Sequence, residues 1–121
     1  MSRSWQLFLA DMLDAARKVL RFTNDRQLES FVADEMAYDA TLRNLEILGE
    51  AAKNIPEEIR LLHPAVDWRG FAGLRDVLTH AYFALDDATL WKIVCSDVPE
   101  LLSRLEEIAG AAEGEENPPQ D

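Results

Sequence analysis

An all-α bundle of four main helices plus short helical segments is the fold class that this sequence predicts. Two observations carry it: apolar residues recur with the helical period over long stretches, and no stretch shows the alternation of a half-buried strand. With 121 residues the chain makes one domain, which buries roughly two-thirds of its unfolded surface around a single core without staples. No internal repeat is visible.

Apolar side chains at positions 5, 8, 9, 12, 13, 16, 19 and 20 share one helical face, so the first helix is expected from Ser4 to Arg21, with Ser4 as N-cap. Thr23, Asn24 and Asp25 supply a turn and a cap for a short segment through Leu28, Phe31 and Val32. Met36, Ala40, Leu42, Leu45, Ile47, Leu48, Ala51 and Ala52 then describe a long second helix that Asn54 and Pro56 end. Pro56, Glu57 and Glu58 read as a helix start, with proline in the first turn and acids on the positive end of the dipole, and His63-Pro64 closes it. After a connector from Pro64 to Asp67, residues 68 to 81 form another helix, broken between Ala81 and Leu85. Asp86 or Asp87 caps a last helix through Leu90, Ile93, Val94, Val98, Leu101, Leu102, Leu105 and Ile108, kinked by Pro99. From Gly110 no apolar period remains, which divides the chain into a helical domain over 1–110 and an acidic disordered tail over 111–121.

The formal net charge is −11, from 12 Lys and Arg against 23 Asp and Glu. Affinity for a polyanion comes mainly from neutralised phosphates, so a nucleic-acid role for this chain needs a local basic site, a dimer that concentrates cations, or a basic partner. Arg17, Lys18, Arg21 and Arg26 form the one dense basic run, and cations at the end of a helix also complement its dipole. Cys95 is the single cysteine and cannot form an intramolecular disulfide. The apolar run at Trp5–Ala10 is interrupted by Asp11 and too short to span a bilayer, so a cytoplasmic, reduced protein is expected.

The chemically richest stretch is Arg75-Asp76-Val77-Leu78-Thr79-His80-Ala81-Tyr82, which reads R-x-x-x-x-H-x-Y. It offers a permanently charged fork for phosphate oxygens, a base that titrates near neutral pH and a phenol open to modification. On a regular helix Arg75 and His80 stand about 140° apart, while Thr79 lies about 40° from Arg75. Bringing the pair together requires the helix to end near His80 or the arginine to curl toward it. A purely structural alternative pairs Arg75 with Asp76 or Glu50 and leaves His80 as a helix-end residue. Two histidines seventeen positions apart, with no H-E-x-x-H and no cysteine cluster, give little support for a transition metal, and no phosphate-binding glycine loop is present.

The octapeptide resembles the signature of the HepT toxins, HEPN-type ribonucleases of MNT–HepT toxin–antitoxin modules. The likeness extends to Arg43-Asn44-Leu45-Glu46-Ile47-Leu48-Gly49-Glu50-Ala51-Ala52-Lys53, to His63-Pro64 with Trp68-Arg69, and to Leu90-Trp91, spanning about residues 5–108. One departure is Asp76, where HepT sequences more often carry Asn. The resemblance implies a HEPN-type bundle and a metal-independent endonuclease toxin of a type VII-like module. His80 would act as base on the ribose 2′-hydroxyl and Arg75 as the charge-stabilising group, with Asp76 and Thr79 supporting. It implies a homodimer through the motif-bearing helices, an MNT-type nucleotidyltransferase antitoxin that attaches AMP to Tyr82, RNA as substrate, no cofactor and no membrane. Its rival is a catalytically inactive HEPN module that docks or regulates a nucleotidyltransferase. Arg43, Asn44, Glu46 and Glu50 read as scaffold around the motif, His63 as a surface or helix-end residue, and Trp5, Trp68 and Trp91 as core aromatics.

Overall fold

The computed structural model describes residues 4–80 and 85–116. Its elements are α1 (Trp5–Thr23), α2 (Leu28–Ala33), α3 (Glu35–Lys53), α4 (Glu57–Leu62), α5 (Trp68–His80), α6 (Asp87–Lys92), a π-helical turn (Ile93–Asp97) and α7 (Val98–Glu116). Among the described residues the fold is all-α, with α1, α3, α5 and α7 as the main helices. No helix among them is long and apolar enough to cross a membrane.

Helix α1 starts where its N-cap accepts a hydrogen bond: the Gln6 N–H points at Ser4 Oγ, 3.3 Å away. Its buried stripe of Leu9, Met12, Leu13, Ala15, Ala16 and Val19 follows the period read from sequence. That stripe packs on both α3 and α7, and α3 in turn carries α5. Helix α3 meets its neighbours through Leu45, Leu48, Ala51 and Ala52, and α7 contributes Leu101, Leu105 and Ile108 to the same core. Asp34 caps α3, accepting from the Ala37 N–H at 3.1 Å. Phe31 of α2 is fully buried, its ring centroid 5.4 Å from Tyr38 and 5.0 Å from Trp91. Trp68 is buried and Trp5 and Trp91 pack against the core, the placement expected for all three.

Three local expectations need correction. The cap of α2 is Gln27 rather than a residue of the Thr23-Asn24-Asp25 turn, and its N–H donates to Ser30 Oγ at 3.1 Å. Asp25 instead sits in the left-handed region at φ 60°, a conformation that Asp tolerates better than most residues. The last helix is divided by the π turn before Pro99 rather than kinked at it. The Val98 N–H reaches back five residues to the Ile93 carbonyl, and Pro99 then falls in the first turn of α7. Finally, the α7 backbone runs through Gly110 to Glu116, past the start of the expected tail. Ala111, Ala112, Glu113, Glu115 and Glu116 are good helix formers, so the backbone stays helical without an apolar period.

Candidate active site

The motif helix is seated by a glycine. At Gly49 a Cβ would stand 2.4 Å from the Arg75 Cβ and 2.6 Å from the Phe71 carbonyl oxygen, so α3 and α5 touch backbone to backbone at a point that admits no side chain. The Asp67 carboxylate starts α5 by accepting from the Gly70 N–H at 3.0 Å, and the Trp68 indole donates to the His63 carbonyl at 3.0 Å. These contacts lock the beginning of α5, and Gly49 sets how closely its middle approaches α3.

Around that crossing, four charged side chains alternate in sign. Arg75 is 27% exposed, with Nε 3.0 Å from Glu50 Oε2 on α3 and one terminal nitrogen 3.2 Å from Asp76 Oδ1. The same Asp76 oxygen lies 3.4 Å from Lys53 Nζ, again on α3. The order is therefore Glu50, Arg75, Asp76, Lys53, with two cations and two carboxylates. The Arg75 hydrogen bond, followed by that of Lys53, holds the Asp76 carboxyl below its ordinary value.

This shift gives a signed expectation. A depressed folded-state value means that the carboxylate's contribution is fully present above the ordinary pKa of 3.8 and is lost as the pH falls through the lower folded value. The difference in urea midpoint between the wild type and Asp76→Asn should hold steady near neutral pH and narrow below about pH 3.8. A gap that stays flat down to pH 3 would mean that Asp76 is not held by these cations.

The sequence-derived residues divide accordingly. Arg75 and Asp76 meet, as the pairing alternative expected, and Arg75 turns to Glu50 on α3 rather than curling toward His80. His80 is the last residue of α5, exposed, and its imidazole has no hydrogen bond or ion pair to another described residue. Thr79 is exposed beside it, and Tyr82 lies outside the described residues. Arg43 pairs with Glu46 at 3.4 Å, and Asn44 is buried with its amide donating to the Ala40 carbonyl at 2.8 Å, which are scaffold roles. The cations of the basic run have separate partners: Lys18 pairs with Asp14, Arg26, just beyond α1, pairs with Asp34, and Arg21 lies over the Phe22 ring. Sequence reasoning assigned no role to Gly49 or Lys53. A glycine amid a run of helix formers was the available signal for a close crossing.

Residues 12–108 match the family described as Ribonuclease HepT-like. The chain belongs to this family. The match takes in α3, the crossing at Gly49, the whole of α5 and most of α7. A Thermococcus cleftensis protein named "Probable ribonuclease HepT" is 42% identical over 108 residues, covering 89% of this chain and 98% of that protein. A Methanocaldococcus jannaschii protein named as a candidate RNase is 40% identical over 109 residues, 90% of each chain. No solved structure matches. In this member Arg75 and Asp76 of the R-x-x-x-x-H-x-Y segment lie against Glu50 and Lys53 of α3.

Proposed function

We propose that this HepT-like chain is an RNA endonuclease toxin that works without metal and is silenced by an MNT-type nucleotidyltransferase. The observation that carries the reading is the contrast between two motif side chains. Arg75 is anchored at a helix crossing by Glu50, whereas His80, five residues on, is exposed at the end of α5 with no described partner to hold it. An anchored cation suits charge that develops in a transition state, because it needs no reorganisation when the charge appears. A solvent-facing imidazole is open to a substrate hydroxyl and suits proton transfer.

In the proposed reaction His80 takes the proton of a ribose 2′-hydroxyl, and that oxygen attacks the adjacent phosphorus. The bond from phosphorus to the 5′-oxygen breaks, leaving a 2′,3′-cyclic phosphate and, once the leaving oxygen is protonated, a 5′-hydroxyl. Arg75 neutralises the added charge on the phosphorane oxygens. A second copy of the motif across a homodimer would supply the acid for the leaving group. The expected product mixture, formed by purified protein in EDTA, is RNA ending in cyclic phosphate. Loss of cleavage in EDTA would remove the metal-free mechanism. Sedimentation at micromolar concentration tests the dimer, and a monomer that still cleaves at full rate would make the second motif unnecessary.

Tyr82 is the proposed regulatory site. Each AMP attached there would bring a phosphodiester charge two residues from His80, repelling and blocking the substrate phosphate. Incubation with ATP, Mg²⁺ and the cognate nucleotidyltransferase should raise the intact mass by whole AMP units and lower cleavage. Tyr82→Phe should stay active and escape silencing. Equal adenylylation of the Phe variant would refute this assignment.

A further inference from the structure

We infer that Lys53 is a second phosphate-binding cation of this site, and that Asp76 occupies in the free protein the place that an RNA phosphate oxygen takes. The inference rests on the ribonuclease reading for its ligand class, a phosphodiester, but not for its geometry. Asp76 Oδ1 is a single anionic oxygen contacted by two cations from different helices, 3.2 Å from Arg75 and 3.4 Å from Lys53. A non-bridging phosphate oxygen carries comparable charge and accepts the same two donors.

Three features make an exchange of anions feasible. Glu50 holds Arg75 through Nε, so the terminal nitrogen that faces Asp76 can change partner without releasing the guanidinium. The Asp76 and Lys53 side chains are 51% and 41% exposed, so water and substrate reach the bridge and the ion pairs that compete with a phosphate are screened ones. In a chain of net charge −11, Lys53 also places a second cation within reach of the same oxygen as Arg75. Its ammonium is a mobile point charge on a flexible stem, suited to following a phosphate, while the arginine fork stays fixed.

The test is binding of a 2′-O-methyl RNA oligonucleotide, which cannot undergo 2′-hydroxyl attack, measured as a function of salt. Lys53→Gln should lower the slope of log affinity against log salt by about 0.7, the value for one phosphate contact on a single strand, which corresponds to roughly eightfold weaker binding at 50 mM salt. Lys53→Arg should restore the affinity. Asp76→Asn should bind more tightly than wild type, because the competing carboxylate is gone. Lys92→Gln, which removes the same charge from an exposed side chain of α6, is the control for net charge and should change the slope less. Equal effects of Lys53→Gln and Lys92→Gln, no gain from Asp76→Asn, or no binding of the oligonucleotide at all would overturn the inference. The two readings fail separately. Expected binding without cleavage of ordinary RNA leaves the phosphate site and removes the nuclease, whereas cleavage with a neutral Lys53→Gln does the reverse.

Discussion

Arg75→Ala and His80→Ala should each lower the rate of RNA cleavage by roughly a hundredfold or more, the scale on which charge-stabilising and proton-transfer groups act. The two losses have different structural costs. His80 is exposed and unpartnered among the described residues, so its truncation removes little besides the imidazole. Arg75→Ala leaves Glu50 without its ion pair and Asp76 with Lys53 alone. Both carboxylates are about half exposed and can be solvated, so the fold should tolerate the change and the deficit should be chemical. Arg75→Lys sharpens the point: it keeps a charge but loses the fork that reaches Glu50 and Asp76 at once, and should recover only part of the rate. Cleavage assays in EDTA on folded, homogeneous protein would decide the matter. Full activity in both alanine variants would exclude this pair from the chemistry.

Gly49→Ala should damage the site through the backbone. An alanine in place of glycine within a helix contributes up to about 1 kcal/mol through propensity. Overpacking a close-fitted contact costs about 1–3 kcal/mol, so steric conflict outweighs the gain. The obstructing atoms are the Arg75 Cβ and the Phe71 carbonyl oxygen, neither of which can swing aside as the end of a long side chain would. Helix α5 has to move, and Arg75 moves with it. Displacing a catalytic group by about 1 Å can cost on the order of a hundredfold in rate. Phe31→Ala is the informative comparison, since it empties a fully buried position between Tyr38 and Trp91 and should cost about 3–5 kcal/mol. Urea unfolding should therefore rank Phe31→Ala as the less stable variant, while cleavage at a temperature where both are folded should rank Gly49→Ala as the less active. The same activity in both would mean that the crossing at Gly49 does not position Arg75.

The helices and most of their ends could be read from the sequence because the forces that set them are local. Periodicity places Leu9, Met12, Ala16 and Val19 on one stripe whatever the stripe packs against, and Ser4 and Asp86 cap the helices that follow them within three residues. The motif residues Arg75, Asp76 and His80 were legible for a similar reason, since their chemistry and spacing are carried by a single segment. The break before Pro99 was legible only as a kink, because spacing does not reveal whether a helix absorbs a proline by bending or by a π turn. What holds Arg75 was a different kind of question. Glu50 and Lys53 precede the motif by more than twenty positions, and whether their side chains reach it depends on the distance and rotation at which two helices cross. The sequence by itself determined the helical class, the caps at Ser4 and Asp86 and the R-x-x-x-x-H-x-Y segment; the tertiary structure decided, through the contact at Gly49, that Arg75 faces α3 and that Asp76 bridges it to Lys53, because helix crossing is set by the packing of whole faces rather than by any local spacing.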